Sequence, residues 1–403
     1  MPFFHELSLE GAARVSNYNV GNTGTVWAYN IGAIWAPVPD ARFRASYAKA
    51  VRAPTQTDLF GSTAQTFLNG LIDPCGQQNI NANPNRVANC AAAGVPTTQT
   101  FTVGGTTTTE PFTNRPASGI LGLSGGNPDL EEERSTSWTV GGVFQPRWVP
   151  GLTLSVDYYN IDIDNVIVTI GAQTIINQCY DSPDGINNQF CKAITRNPNG
   201  TFAGQQNVLH GGGQANFATT GNSFLQGPFN YARQTTEGVD FDLAYTYPSQ
   251  GDWRLSARAT VAWLMGRDQF TSVTEPDRRT RIKGTLGDPE WNARLNMTLG
   301  YKAVDFVWTM RYIDKMTIAP NYGTMLSEQD RPPTNADNFP KIWYPAYTYH
   351  DFRIDGKIGN HSLFVGVDNA FDALPPYDLL GTEAGAPYTN TGRFFYVGAH
   401  LKF

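Results

Sequence analysis

The chain of 403 residues has little charge and no long hydrophobic run. Asp, Glu, Lys and Arg together make up 16% of its residues, whereas a typical soluble domain has about 25%. Since no stretch of about 18 consecutive apolar residues occurs, no transmembrane helix is expected. The formal net charge of -6 argues against a nucleic-acid partner, because such proteins usually carry a basic patch.

Motifs for catalysis, cofactors and metals are also missing. No nucleophile–base motif is recognisable, and the glycines at 211–213 lack the Lys-Ser/Thr partner of a phosphate-binding loop. Asp181, Asp184 and Asn187 in YDSPDGINN suggest a calcium loop, but its closing Glu is absent. We therefore expect no catalytic residue, no cofactor and no metal site, and the protein is not predicted to be an enzyme.

Alternation of apolar and polar residues with period two is the dominant pattern. In GVDFDLAYTY, Val239, Phe241 and Leu243 fall on one face of a strand, and Asp240 and Asp242 fall on the other. Many such segments have about 10–14 residues, the length with which a tilted strand crosses a bilayer. The sequence therefore predicts an all-β fold, an antiparallel transmembrane β-barrel of about 12 strands. The segments lie near residues 5–16, 24–36, 41–52, 135–147, 151–164, 230–247, 252–265, 290–301, 303–314, 346–357, 361–371 and 392–403.

The connections between these segments alternate between short and long. Long ones lie at 17–23, 53–134, 165–229, 266–289, 315–345 and 372–391, and tight turns separate the other pairs. This layout is typical of a barrel with short periplasmic turns and long extracellular loops. A soluble secreted β-sandwich is the alternative, but it offers no reason for long loops at one end only.

The four cysteines fall in the two longest of these loops, 53–134 and 165–229. Cys75 and Cys90 form one local pair, and Cys179 and Cys191 form another. Metal sites usually bring closer spacings such as CxxC. Two disulfide bonds that close loops are therefore predicted, and free thiols in a reducing compartment are the alternative.

Three segments resemble one family, the TonB-dependent outer-membrane receptors. ASYAKAVRAPTQTDLF resembles the family's strand that ends in an Arg-Ala-Pro turn, here Arg52, Ala53 and Pro54. GNPDLEEERSTSWTVGG resembles its Asn-Pro-x-Leu motif, and LFVGVDNAFDALPPY with RFFYVGAHLKF resembles the end of its barrel. The resemblance covers nearly the whole chain. Its further positions are Asn127, Pro128, Leu130, Asn369, Phe371 and the terminal aromatic Phe403, an expected assembly signal.

The resemblance implies a Gram-negative outer-membrane receptor and transporter that takes up a ligand such as a ferric siderophore or a carbohydrate. Its implied partners are outer-membrane lipid, a small-molecule ligand, the barrel-assembly machinery and, only if a plug domain is supplied, the TonB system. Haem receptors of this family place a His between the Arg-Ala-Pro and Asn-Pro-x-Leu motifs. Since no His lies between Ala53 and Asn127 here, haem is disfavoured as the ligand. No nucleic-acid partner is implied.

The chain departs from that family in its length. The resemblance implies a barrel of about 22 strands with a plug domain and a TonB box, whereas this chain has about twelve strand segments and the start MPFFHELSLEG without a signal peptide. Residues 1–403 are therefore expected to be the C-terminal portion of such a barrel. Twelve strands cut from a larger barrel would leave two edge strands with unpaired backbone N–H and C=O groups, to which lipid cannot form hydrogen bonds. The alternative is a free-standing barrel of twelve strands, acting as a passive pore or as an outer-membrane enzyme.

Charged residues near the strands have two interpretations. Glu131, Glu132 and Glu133 follow a Gly-Asn-Pro turn, and we expect them to lie at the barrel rim rather than to form an acid/base pair. The charged residues on the polar face of the strands either form ion pairs with neighbouring strands or guide a ligand, and ion pairing is favoured. These are Arg44, Asp240, Asp242, Arg254, Arg258, Arg294, Asp305, Arg311, Asp351, Arg353 and Asp355.

Overall fold

The computed structural model describes residues 4–19, 21–205, 207–210, 213–216, 221–249, 251–272, 276–317, 343–376 and 387–402. Phe403, the expected assembly signal, lies outside these ranges. Within them, twelve long strands are β1 (Glu6–Tyr18), β2 (Gly24–Val38), β3 (Ala41–Arg52), β4 (Glu133–Phe144), β5 (Leu152–Ile170), β6 (Leu225–Thr246), β7 (Trp253–Phe270), β8 (Trp291–Tyr301), β9 (Val304–Ile313), β10 (Tyr347–Ile358), β11 (His361–Asp368) and β12 (Phe394–His400).

These twelve strands form one sheet in chain order. Each strand pairs antiparallel with the next, from β1 with β2 to β11 with β12. Among the described residues, no pairing joins β1 to β12. The predicted antiparallel β fold and all twelve predicted strand segments are confirmed.

The two faces of the sheet differ as the alternation predicts. On β2, the large side chains of Trp27, Ile31 and Trp35 share one exposed apolar face. The same face continues on β4 with Val140 and on β12 with Val397. A soluble protein rarely exposes such a continuous apolar surface. This face is therefore suited to contact lipid.

The connections alternate at the two ends of the strands. At one end, tight connections of a few residues run at 39–40, 145–151, 247–252, 302–303 and 359–360. At the other end, the connections 53–132 and 171–224 are the longest, and we call them together the loop module. The ends of β5 and β6 correct the expected loop 165–229, because these strands continue to Ile170 and begin at Leu225.

The loop module contains short elements of its own. Its helices are α1 (Gln56–Phe60), α2 (Arg86–Ala92), α3 (Ala172–Asp181) and α4 (Gln189–Lys192), with a 3-10 turn at Ile80–Ala82. Its short strands are Ala64–Leu68, Thr98–Val103, Thr106–Pro111, Ile120–Ser124, Asn207–His210 and Gly213–Asn216. Other short strands outside it are Arg279–Arg281, Met316–Thr317 and Trp343–Tyr344. None of the described helices is long and apolar enough to cross a membrane.

The larger hydrophobic core of the described residues lies in the loop module and not between the faces of the sheet. Ile120–Ser124 pairs antiparallel with Ala64–Leu68 and parallel with the first residues of β6, which ties the two connections together. Both connections contribute to the core, with Cys75, Cys90, Phe112, Ile120, Ile175, Ile176, Tyr180, Phe190, Phe202 and Phe224 among its buried residues. The two long connections therefore fold as one packed unit at one end of the strands.

Candidate functional site

Two disulfide bonds close segments within the loop module. Cys75 is bonded to Cys90 with a Cα–Cα distance of 5.6 Å, and Cys179 is bonded to Cys191 with a Cα–Cα distance of 4.7 Å. Each bond lies within one connection, so neither joins the two connections covalently. Other contacts must hold the connections together.

A buried ion pair links the two connections. The guanidinium of Arg196 donates to both carboxylate oxygens of Asp73, at 2.7 and 2.8 Å, and to the hydroxyl of Tyr180 at 2.6 Å. The side chains of Asp73 and Arg196 are only 0% and 9% exposed. The Arg196 guanidinium also lies 4.0 Å from the ring centroid of Phe202. Burial lowers the pKa of Arg196, but the charge and hydrogen bonds of Asp73 outweigh burial and hold that pKa above its ordinary value.

A second set of polar contacts joins α2 to α3. The Arg86 guanidinium pairs with the Asp181 carboxylate at 2.5 Å, and the Asn89 amide donates to the backbone carbonyls of Tyr180 and Ser182. Asp181, one of the three candidate calcium ligands in the sequence, thus binds Arg86. Across the described part of the chain, no group of three His, Cys, Asp or Glu side chains could hold a metal ion.

The Arg-Ala-Pro and Asn-Pro-x-Leu motifs meet at the base of the loop module. Arg52 at the end of β3 forms a two-pronged ion pair with Glu133 at the start of β4, with both N–O distances at 2.5 Å. Glu133 also accepts a hydrogen bond from the backbone N–H of Ile167 on β5. Beyond Pro54, α1 begins with a capping box of Thr55 and Asp58. This junction fixes where the chain leaves the sheet and where it returns.

Asn127 and its neighbours hold the returning chain. The backbone N–H of Asn127 donates to the Asp58 carbonyl at 2.7 Å, and its side-chain amide donates to the Pro228 carbonyl at 3.0 Å. Pro128 follows at the turn, and Leu130 is buried. These contacts connect α1, the motif and the start of β6. Their role is to position backbone, and no acid/base geometry results.

The three neighbouring carboxylates have separate environments. Glu133 binds Arg52, and the buried Glu132 binds Arg134 at 2.6 Å. Glu131 is exposed, and its backbone exchanges hydrogen bonds with the Asn230 side chain. No two of these three carboxylates form a pair, so the structure is in keeping with the interpretation as rim residues.

The Asn369 and Phe371 positions lie after β11. The backbone N–H of Asn369 donates to the Asp351 carboxylate at 2.7 Å, and its side chain exchanges two hydrogen bonds with the Ala373 backbone. Asn369 has φ of 50°, a left-handed conformation that Asn tolerates. The Phe371 ring is exposed and stands edge-on to His350 on the apolar face. The motif therefore builds the turn that follows β11.

Ion pairs across strands cover much of the polar face, as the sequence favoured. Arg44 on β3 pairs with Asp157 on β5, and Arg254 on β7 pairs with Asp305 on β9. Each of these bridges passes over a glycine of the strand between, Gly141 in the first case and Gly300 in the second. The glycine leaves space for the bridge, because a Cβ at Gly141 would lie 2.0 Å from an Asp157 oxygen. Arg258 on β7 pairs with Asp242 on β6, and Arg353 pairs with Asp355 within β10.

Two open cavities accompany these features. One of about 740 Å³ lies on the polar face and is lined by charged side chains that include Arg44, Asp157, Asp242 and Arg258. Another of about 770 Å³ lies at the base of the loop module beside Phe60. Both volumes are within the range of small-molecule sites.

These observations define a class of protein. Twelve consecutive antiparallel strands with an apolar face, an ion-paired opposite face and long connections at one end form the wall of a transmembrane β-barrel. The chain belongs to the family described as TonB dependent receptor-like, beta-barrel, whose sequence model matches residues 1–370. A comparison with curated proteins finds no match.

Solved structures of siderophore receptors share the fold. A mutant of the ferric enterobactin receptor PfeA from Pseudomonas aeruginosa is 15% identical, with a TM-score of 0.54 over 99% of this chain and 42% of that one. The siderophore receptor PirA from Acinetobacter baumannii is 13% identical, with a TM-score of 0.53 over 98% of this chain and 43% of that one. This chain thus spans less than half the length of these receptors. At such low identity the similarity shows the fold alone.

Proposed function

We propose that this chain is the C-terminal barrel part of an outer-membrane receptor and transporter that takes up a small-molecule ligand, such as a ferric siderophore or a carbohydrate. Family membership and the apolar outer face support the membrane location. In this role no covalent bond is made or broken. Energy would come from the TonB system only together with a plug domain.

The observation that carries the proposal is the opposition of the two faces. Outward residues such as Ile31 and Val140 suit lipid, and the ion pairs of the polar face suit a water-filled interior. The loop module, with its own core and buried ion pair, would stand at the extracellular mouth. There it would offer a preorganised surface to an arriving ligand.

Fractionation of a Gram-negative host tests the location. The chain, secreted behind a signal peptide, is expected to remain in the outer-membrane pellet after carbonate washing. Heat-modifiable migration of the chain refolded alone in detergent would instead favour the free-standing barrel of twelve strands. A chain recovered from the soluble periplasm would contradict the proposal.

Uptake requires a second measurement. DNA upstream of the codon for Met1 is expected to encode a signal peptide, a TonB box and a plug in frame. The protein encoded by that longer frame should support growth on a ferric siderophore under iron limitation, and a protonophore should abolish uptake. The chain alone is the matched control and should give no energy-dependent uptake. Uptake that the protonophore does not change would favour the passive pore.

A further inference from the structure

Among the described residues, one group of charged side chains on the polar face forms no ion pairs across the strands, in contrast to Arg44 and Arg254. Arg294 on β8 lies directly opposite Arg311 on β9 in the strand register. Like charges that are directly opposite in a sheet destabilise it. Neither arginine forms an ion pair with a carboxylate of the described residues, whereas Arg254 on the neighbouring β7 pairs with Asp305 at 2.7 Å.

Two carboxylates lie together beside these arginines. Asp351 on β10 follows the register that pairs Phe352 with Val367, and this places it next to Asp368 at the end of β11. Asp351 accepts a hydrogen bond from the backbone N–H of Asn369. Within the described part of the chain, neither Asp351 nor Asp368 forms an ion pair with an arginine or lysine. Two positive and two negative side chains are thus grouped by sign.

All four side chains line one cavity of about 390 Å³. Thr389, Thr391 and Asn369 complete its polar lining. Arg311 is held in place, because it donates to the Thr389 hydroxyl at 2.5 Å and lies 4.8 Å from the Tyr349 ring centroid. A fixed guanidinium loses little side-chain entropy when it binds a carboxylate. Because β8, β9, β10 and β11 are adjacent in that order, the arginines lie on one side of the cavity and the aspartates on the other.

We propose that this cavity binds a small zwitterion, with its carboxylate on Arg294 and Arg311 and its ammonium group on Asp351 and Asp368. An amino acid or a short peptide has this charge pattern and fits a site of this size. Such a ligand supplies the counter-charges that these four side chains lack, since none of them forms an ion pair within the described residues. The inference rests on the proposed uptake role and names the charge class of the ligand.

Binding of glycylglycine to the chain in detergent tests this proposal. Glycylglycine should bind, and its N-acetylated and its C-amidated forms should each bind about tenfold more weakly or worse, because each lacks one charge. Equal binding of either blocked form, or no binding of glycylglycine, would overturn the proposal. These ligand controls decide the question even where a variant fails to fold.

Variants assign the two ends of the cavity. R311M should weaken glycylglycine binding about tenfold and should leave the amidated form unaffected, because that form has no carboxylate to lose. D351N should likewise weaken glycylglycine binding and should leave the N-acetylated form unaffected, because that form has no ammonium group to lose. R254M, which removes an arginine already paired with Asp305, is the matched control and should bind normally. Normal binding by R311M, or loss of binding in R254M, would overturn the assignment.

The two proposals fail separately. Glycylglycine binding is measured in detergent and does not depend on uptake. A chain that fractionates with the outer membrane but does not bind glycylglycine retains the receptor role and loses only the zwitterion site. If the chain binds glycylglycine but the protein encoded by the longer frame supports no uptake, the zwitterion site is retained and the transporter role is lost.

Discussion

At the scale of single residues, the ion pair between Asp73 and Arg196 is the most buried charged contact in the described chain. Its partners come from the two different connections of the loop module and are 123 residues apart in sequence. The disulfide partners, by contrast, are separated by 15 and 12 residues. The local cysteine pairs were therefore within reach of sequence reasoning. The ion pair has no local pattern and could not be found without the fold.

Asp73→Asn is expected to loosen the loop module. The substitution leaves the Arg196 charge buried without its counter-charge, which typically costs about 3–5 kcal/mol. Amide hydrogen exchange of α2 and α3 measures the local free energy of opening. Asp40→Asn is the control, because Asp40 pairs with the exposed Arg147 and such pairs contribute about 0–1 kcal/mol. Equal exchange in both variants would contradict a structural role of the buried pair.

At the scale of strands, the alternation in the sequence identified all twelve strands but misplaced the ends of β5 and β6. NVIVTI continues the apolar alternation up to Ile170, so a signal was present. The register changes near Asn165, which has φ of 57° and whose carbonyl accepts a hydrogen bond from Asn230. A residue inserted at such a bulge shifts the apolar side chains to the other set of alternate positions. The alternation therefore predicts an end of the strand at residue 164.

The glycines between ion-paired strands could not be assigned a purpose from alternation alone. Gly141→Ala is expected to destabilise the sheet by about 1–3 kcal/mol, the usual range for overpacking. The added Cβ would lie 2.0 Å from an Asp157 oxygen and 2.7 Å from the Val156 carbonyl oxygen. Gly356→Ala on β10 is the control, because its nearest heavy atom is 4.0 Å away. Urea unfolding in detergent compares them, and equal midpoints would show that the Arg44–Asp157 bridge needs no open space.

At the scale of the whole molecule, the apolar face of the twelve-stranded sheet is proposed to contact lipid instead of packing against a hydrophobic core. Neighbouring residues on one strand then have opposite requirements, and β2 offers a matched pair. Ile31 is on the apolar face and 60% exposed, and Asn30 beside it is exposed on the polar face, between Ala12 and Ala48 of the adjacent strands. The two faces could be predicted from the sequence, because alternation is a relation between neighbouring residues. The packing of the two long connections into one module could not be predicted, because it depends on contacts between residues far apart in sequence.

Ile31→Arg should therefore destabilise the chain in lipid vesicles by about 2–4 kcal/mol, the cost of an arginine near the middle of a bilayer. Asn30→Arg should change the free energy of unfolding by less than about 0.5 kcal/mol, because its side chain stays in water. Guanidinium titrations of both variants in vesicles measure the difference. In detergent, where the introduced guanidinium can reach the micelle surface, the gap between the variants should shrink. If the two variants unfold at the same midpoint in vesicles, the apolar face does not face lipid, and the membrane assignment of the sheet is wrong.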